Sequence, residues 1–402
     1  MESYDIIIVG GGAAGFFKAI NAAENNPGLK ILILERGKEV LTKVKVSGGG
    51  RCNVTHAEFI PAELVKRYPR GEKELRGPFH KFMTGDTIGW FEERGIDLKI
   101  EEDGRMFPVT DSSQTIIDCF KKQCLKLNIE IQKGQSLKKI KKEEDHWLIE
   151  TNTHSFPTQK VMLATGSNSK IWKMLERMGH SIVPAVPSLF TFNIQDKRIK
   201  DLAGIASDAE VRILDQNLES SGPLLITHWG MSGPAILKLS AWGARELNQL
   251  DYKFSISVNW LPGHTSTDML ENLKELKFSN SKQQVSSRPQ FELPKRLWQS
   301  IVSASGIKNE TKWADLNKDQ LKDLAEQLTS AVYQVNGKST FKEEFVTAGG
   351  IDLKQVDFKT FESKLHKNLY FAGEILNIDA ITGGFNFQNA WTGGFLAAKA
   401  MS

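Results

Sequence analysis

Apolar positions along the chain follow three different spacings, and each predicts a different kind of element. The first is the short unbroken run. Asp5-Ile6-Ile7-Ile8-Val9 has no alternation and is too short for a helix, so it reads as a strand buried on both faces. It enters Gly10-Gly11-Gly12-Ala13-Ala14-Gly15 at once. Phe16, Ala19, Ile20, Ala22 and Ala23 then recur at helical spacing until Asn25-Asn26-Pro27-Gly28 breaks the pattern, and a second run, Ile31-Leu32-Ile33-Leu34, ends in Glu35. Strand, turn, helix and strand make a complete βαβ unit. Two later runs have the same character: Val161-Met162-Leu163 passes into Ala164-Thr165-Gly166, and Leu369-Tyr370-Phe371 passes into Ala372-Gly373-Glu374.

The second spacing has period two. Leu189–Ile194, Glu210–Leu214 and Phe254–Val258 alternate as half-buried antiparallel strands do, which predicts a small β-barrel or sheet. The third is helical: Pro234 opens a run through Ala235, Ile236, Leu237, Leu239 and Ala241, and residues 267 to 334 carry longer polar helical patterns. Because buried-strand markers lie near both ends, residues 1–188 and 345–402 are expected to build one α/β domain. Residues 189–344 then form an inserted β-rich, barrel-like domain with a helical subdomain. The length of 402 residues suits such a division.

The glycines add chemistry to this pattern. In the first turn Gly10 permits the tight bend, Gly12 lets backbone approach a pyrophosphate, and Gly15 lets the helix pack closely on the strand. The helix N-terminus at Ala13 and Ala14 offers unpaired N–H groups and the positive end of its dipole. Glu35 stands at a strand end where a carboxylate can accept hydrogen bonds from an adenosine ribose, and Arg36 follows it. The reading is a dinucleotide site. Soon after comes a second glycine-rich loop, Thr42-Lys43-Val44-Lys45-Val46-Ser47-Gly48-Gly49-Gly50-Arg51-Cys52-Asn53. A nicotinamide dehydrogenase has no need of it, so it selects FAD; Lys43, Ser47, the three glycines, Arg51, Cys52 and Asn53 are expected to wrap the pyrophosphate or the pyrimidine edge of the flavin. Ala164, Thr165 and Gly166 return the chain to the same crevice. Gly373 and Glu374 can reach ribityl hydroxyls, and the helix opened by Gly383, Gly384, Phe385 and Asn386 can stabilise negative charge at the flavin N1/C2=O locus.

Composition narrows the alternatives. No run of about 18 apolar residues is present, and the first residues lack a secretory layout, so a cytoplasmic protein without membrane spans is expected. Cys52, Cys119 and Cys124 are too few for a disulfide framework or a four-ligand zinc site, and the absence of Cys-x-x-Cys disfavours a dithiol relay. Cys119 and Cys124 fall in a helical run and read as inert core. The 52 Lys+Arg against 48 Asp+Glu give a net charge of +4, short of the footprint of a dedicated nucleic-acid module. Residues 65–82 nevertheless concentrate Lys66, Arg67, Arg70, Lys73, Arg76 and Lys81, either a solvated loop or a phosphate-facing patch for RNA. The run Lys138 to Asp145 reads as a charged hairpin.

Taken with Thr227-His228-Trp229-Gly230-Met231-Ser232-Gly233-Pro234-Ala235 and Val346-Thr347-Ala348-Gly349-Gly350, these motifs resemble a bacterial family of NAD(P)/FAD-dependent oxidoreductases, the aminoacetone-oxidase-family FAD-binding enzymes, across essentially the whole chain. The resemblance implies FAD, a two-dinucleotide-type Rossmann domain and a β-rich insertion. It also implies several activities: reduction of unsaturated bile-acid-like steroids, oxidation of a small aminoketone, or dihydrouridine formation in large-subunit ribosomal RNA. The leading expectation is reduction of a conjugated C=C in a small-molecule or nucleobase substrate, with NAD(P)H as a transient reductant because no second Gly-x-Gly-x-x-Gly seats it. Oxygen-dependent amine oxidation and a flavin-holding protein without turnover are the alternatives. Such a reduction needs a proton donor, for which Cys52 and His228 are the candidates. Phe385, Phe387 and Trp391 are read either as a pocket border or as core.

Overall fold

Isoleucines 6 to 8 are wholly buried in a strand, Tyr4–Val9, that lies inside a parallel sheet, as the unbroken apolar run requires. The computed structural model describes residues 3–340 and 346–402. Within these, residues 3–186 and 346–402 form one compact unit and residues 187–340 another. The expected return point at residue 345 lies outside the described residues.

In the first unit the sheet runs in the order Val356–Asp357, Glu362–Ser363, Leu369–Phe371, Ser155–Leu163, Tyr4–Val9, Ile31–Glu35, Glu130–Lys133. The last five strands pair in parallel. The charged run forms the expected hairpin, Leu137–Lys142 with Trp147–Thr151, which pairs antiparallel with the start of Ser155–Leu163. Helix Ala13–Asn25 crosses from the first strand to the second, and helix Phe385–Met401 packs beside it so closely that a Cβ on Gly394 would sit 3.0 Å from the Ala14 carbonyl oxygen. Phe17 meets Trp391 at 5.2 Å and Trp90 at 4.5 Å between ring centres, and Phe120 of helix Ser113–Lys126 closes the cluster against Trp391 at 5.6 Å. Trp391 is fully buried and donates to the Val54 carbonyl, so it belongs to the core. Cys119 and Cys124 lie buried in that same Ser113–Lys126 helix. This is a Rossmann-type α/β sheet of the kind that FAD enzymes use.

A smaller sheet, Thr55–His56, Arg105–Pro108 and Leu98–Ile100, stands apart in the same unit. Strand Ile182–Ser188 pairs with Val346–Ile351.

The second unit is a seven-stranded antiparallel ladder, ordered Ala331–Asn336, Lys253–Asn259, Ala206–Ile213, Leu218–Thr227, Gly230–Ser232, Thr191–Asn193, Lys338–Ser339. Its first and last members are separated in sequence by Gly337 alone. The ladder therefore curls until its edges meet, and Gly337, at φ +102°, donates to the Tyr252 carbonyl while accepting from the Asn193 amide. That is the barrel-like form the alternation predicted. Helices Ser266–Ser279, Lys295–Ala304 and Lys318–Thr329 supply the helical part. The helical reading overran its end: Ala331–Asn336 alternates buried and exposed positions and is a strand.

Candidate functional site

Four chain segments of the first unit meet at the carboxyl edge of the parallel strands. The first glycine turn carries three distinct constraints. Gly10, at φ +120°, has its would-be Cβ 2.2 Å from the Ala164 carbonyl oxygen, and that of Gly15 falls 2.1 Å from the Gly10 carbonyl oxygen; any side chain at either collides with backbone. Gly12 is different: it caps the helix in extended backbone, and a Cβ there meets nothing within 4 Å. The helix has no acidic residue in its first turn, so the amides of Ala13, Ala14 and Gly15 present an uncompensated positive end.

Glu35 does more than the ribose reading assigned to it. One carboxylate oxygen accepts from the Gly11 amide at 2.9 Å and the other from the Gly37 amide at 2.6 Å, so the strand end pins the glycine turn. A second lone pair remains on each oxygen. Arg36 is exposed.

The second loop is helical where an irregular loop was expected. Thr42 to Val46 form helical turns; the chain then breaks at Ser47 (ψ 146°) and passes through Gly48, Gly49 and Gly50, all at positive φ. The Leu41 amide donates to the Gly11 carbonyl and ties this loop to the first turn. Gly48 is pressed on Phe107, 2.7 Å from its would-be Cβ, whereas Gly49 and Gly50 face open space. Ser47 donates to the Val44 carbonyl at 3.0 Å. Lys43 forms an ion pair with Glu374.

Arg51 departs from the expectation of a guanidinium on the cofactor. It donates to Glu101 at 2.5 Å and Asp111 at 3.5 Å and lies 3.9 Å over the Phe107 ring. Cys52 departs too. It sits at φ +64°, fully buried, and burial pushes its thiol up to about 12, so it presents no accessible thiolate. Asn53, with its amide oriented to satisfy both neighbours, donates to the Thr55 carbonyl and accepts from the Gly384 amide, each at 3.0 Å.

At the third turn the Ala164 amide donates to the Val9 carbonyl, and the hydroxyl oxygen of Thr165 is buried with no hydrogen-bond partner. Gly166, at φ +62°, faces the Glu374 carboxylate, 3.7 Å from its would-be Cβ. From the C-terminal side, Gly373 reaches within 3.5 Å of the Ala14 side chain, measured from the same would-be atom. Gly383 and Gly384 have positive φ, and Gly384 caps helix Phe385–Met401, which again has no first-turn acid. A Cβ on Gly384 would strike the Thr55 carbonyl oxygen at 2.5 Å. Asn386 closes its own loop onto both backbone atoms of Ala380, and Phe385 is buried; neither side chain presents itself to a ligand.

Two residues were not singled out from sequence. The His56 ring nitrogen Nδ1 lies 3.1 Å from the Gly383 carbonyl oxygen, its ring packs 4.4 Å from Phe385, and burial holds its pKa below the ordinary histidine value. Asp379 is wholly buried and takes a bidentate pair from Arg70, Nε at 2.5 Å. Arg70 thus leaves the outward basic face predicted for 65–82. Lys66 pairs with Glu63 and Arg67 with Glu58, while Lys73, Arg76 and Lys81 are exposed. His228 belongs to the other unit, exposed in the turn between Leu218–Thr227 and Gly230–Ser232.

The residues present fit an extended dinucleotide. At Gly12, Gly49 and Gly50 a Cβ would enter open space beside bare backbone, neither helix N-terminus carries an acidic residue in its first turn, and the Thr165 hydroxyl lacks a partner. No group of three or more metal-binding side chains occurs among the described residues, nor any helix long and apolar enough to cross a membrane.

Comparison with known proteins agrees. The family described as "HI0933-like protein Rossmann domain" matches residues 4–400. A ribosomal RNA dihydrouridine synthase of Haemophilus influenzae is 28% identical over 98% of this chain and 98% of its own. A 3-dehydro-bile acid delta(4,6)-reductase of Clostridium scindens is 26% identical over 98% of each. Among solved structures, a 3-ketosteroid delta1-dehydrogenase of Sterolibacterium denitrificans superposes with a TM-score of 0.53 at 11% identity, covering 100% of this chain and 99% of its own, a likeness of fold.

Proposed function

We propose, starting from the fact that the chain belongs to the HI0933-like family of FAD-binding Rossmann oxidoreductases, that it reduces a carbon–carbon double bond conjugated to a carbonyl, with NAD(P)H as the electron source. The observation that carries this reading is the linkage of three glycine segments: the Gly10–Gly15 turn is tied to the second loop by the Leu41 amide on Gly11, and the end of that loop to the Gly383–Gly384 helix start by Asn53. When bound, FAD supplies hydride transfer.

The chain's own residues supply placement. The amides after Gly12 would hold the pyrophosphate, and Glu35, already fixed by two amides, would accept from a ribose hydroxyl with its remaining lone pairs. Gly49 and Gly50 would admit the cofactor against bare backbone. The N-terminal end of Phe385–Met401 would favour negative charge developing beside it, held in place by Asn53 and His56.

Two relatives with different names support one chemistry. Reduction of the uracil ring to dihydrouridine and reduction of a steroid dienone both add hydride and a proton across a double bond activated by a carbonyl. A nucleobase within ribosomal RNA is the second substrate reading, favoured by the RNA-modifying relative and by exposed Lys73, Arg76 and Lys81.

Purified protein should be yellow and should bleach anaerobically with NADH or NADPH, and a cyclic enone or a uracil-containing ribosomal RNA fragment should restore the colour. Hydrogen peroxide release with aminoacetone, and no reoxidation by either double bond, would replace this reading with an amine oxidase.

A further inference from the structure

We propose that Arg51 is a positioning residue that clamps the Gly48–Gly50 loop from behind, through Glu101 and Phe107, and does not itself touch the cofactor. The inference rests on the FAD reading above.

Segment 98–113 backs the second loop along its length. The Ser113 hydroxyl donates to the Lys45 carbonyl at 2.8 Å, just before the loop. Phe107, fully buried, lies under Gly48 at 2.7 Å from its would-be Cβ. Just after the loop, the Val54 amide donates to the Met106 carbonyl and strand Thr55–His56 pairs with Arg105–Met106. Arg51 joins these supports: its guanidinium stacks on Phe107 and donates to Glu101 and Asp111, and its Nε lies 3.4 Å from the Gly48 carbonyl oxygen. The acids are held in turn, Glu101 by Arg105 at 3.1 Å and Asp111 by Lys99.

Nη1 of the guanidinium is taken by Glu101 and Asp111, Nε faces the Gly48 carbonyl, and one face of the plane lies on Phe107, so these contacts fix its orientation toward the back of the loop. Gly49 and Gly50, the residues left facing open space, carry no side chain to hold their own conformation, and every residue from Gly48 to Gly50 lies at positive φ. Glycine pays the largest entropy to be fixed, so an external clamp is what keeps these amides aimed at one place.

The test compares FAD release from holoenzyme, followed by the rise of free-flavin fluorescence on dilution, in R51Q, E101Q, the double variant and R51K, with melting temperature and the shape of the visible flavin band recorded for each. The clamp predicts that R51Q and E101Q each speed release roughly fivefold, that the double variant is no faster than the faster single variant, and that all keep the wild-type melting temperature within a few degrees. R51K, which loses the fork but keeps the charge, should fall between. Fast release in R51Q with wild-type release in E101Q would overturn the proposal by placing Arg51 on the cofactor, as would multiplying effects in the double variant or no effect in either. A wild-type protein that purifies without FAD would refute the cofactor reading itself, an outcome separate from these.

Discussion

Lys43 and Glu374, 331 positions apart in sequence, form an ion pair that joins the second glycine loop to the end of strand Leu369–Phe371. Glu374 is mostly covered and Lys43 half exposed, so the pair adds little to global stability. Its position predicts a local effect. Glu374→Gln and Lys43→Met should each weaken FAD binding about three- to tenfold while the melting temperature moves by no more than a few degrees. Fluorescence titration against calorimetry checks the split, and equal losses in both would refute it.

Gly10→Ala and Gly12→Ala should fail in opposite ways. The first puts a methyl 2.2 Å from a backbone oxygen at φ +120° and should cost several kcal/mol, roughly 3, enough to leave most of the protein insoluble. At Gly12 the backbone is extended and the space open, so the fold should survive with an unchanged melting point, while the added methyl blocks the dinucleotide. Colourless, stable G12A protein is the expected product.

His180 is buried against Ser363 and His366, and burial with its histidine neighbour lowers it to about 4. The unfolded chain takes up a proton near 6.5 that the folded chain refuses until about 4. Stability attributable to this group is therefore complete above pH 6.5 and lost as pH falls toward 4, by at most about 3 kcal/mol. Denaturant midpoints at pH 7, 5.5 and 4.5 should show His180→Gln losing less than the wild type across this window. Parallel curves would show that His180 does not titrate with folding.

Lys18 lies wholly buried in helix Ala13–Asn25, its amine without a hydrogen-bond partner, and burial holds its pKa well below the ordinary lysine value. At neutral pH the unfolded chain binds a proton there that the folded chain disfavours, so wild-type stability rises with pH until the free lysine value near 10.5. Lys18→Met should raise the pH 7 melting temperature, by about 1 kcal/mol or more in stability, and the advantage should shrink on approach to pH 10.5. An advantage that is the same at every pH would point to packing instead.

Cys52 supplies a negative test. Being sealed from solvent and held at about 12, it should resist iodoacetamide in native protein. Cys52→Ser should keep at least half of wild-type turnover in single-wavelength flavin reoxidation. Rapid labelling with parallel loss of turnover would return it to the reacting centre.

What sequence alone revealed followed from backbone. Gly10, Gly12 and Gly15 are legible because each lacks a side chain for a separate steric reason, and sterics are written in residue type. The curled ladder was legible because alternation fixes which face is buried. Side-chain direction was not. Arg51 follows three glycines and looked free to reach a phosphate, yet its partners Glu101 and Asp111 lie just past the ends of two short strands that give almost no periodic signal. Arg70 sits in a basic run, and only the fold brings the buried Asp379 opposite it. His56 escaped notice for the same reason: the carbonyl that holds it, Gly383, is 327 positions away. Asn386 was assigned outward because a helix start suggests ligand contact, and its amide turned back to close a loop.

The ladder of the second unit joins its own ends: Thr191, near where the chain enters, pairs with Ser339, near where it leaves. Entry and exit are thus about 5 Å apart, a gap that two or three residues span. To the host sheet the whole excursion is thermodynamically a short loop, so its closing entropy is nearly independent of what the excursion contains.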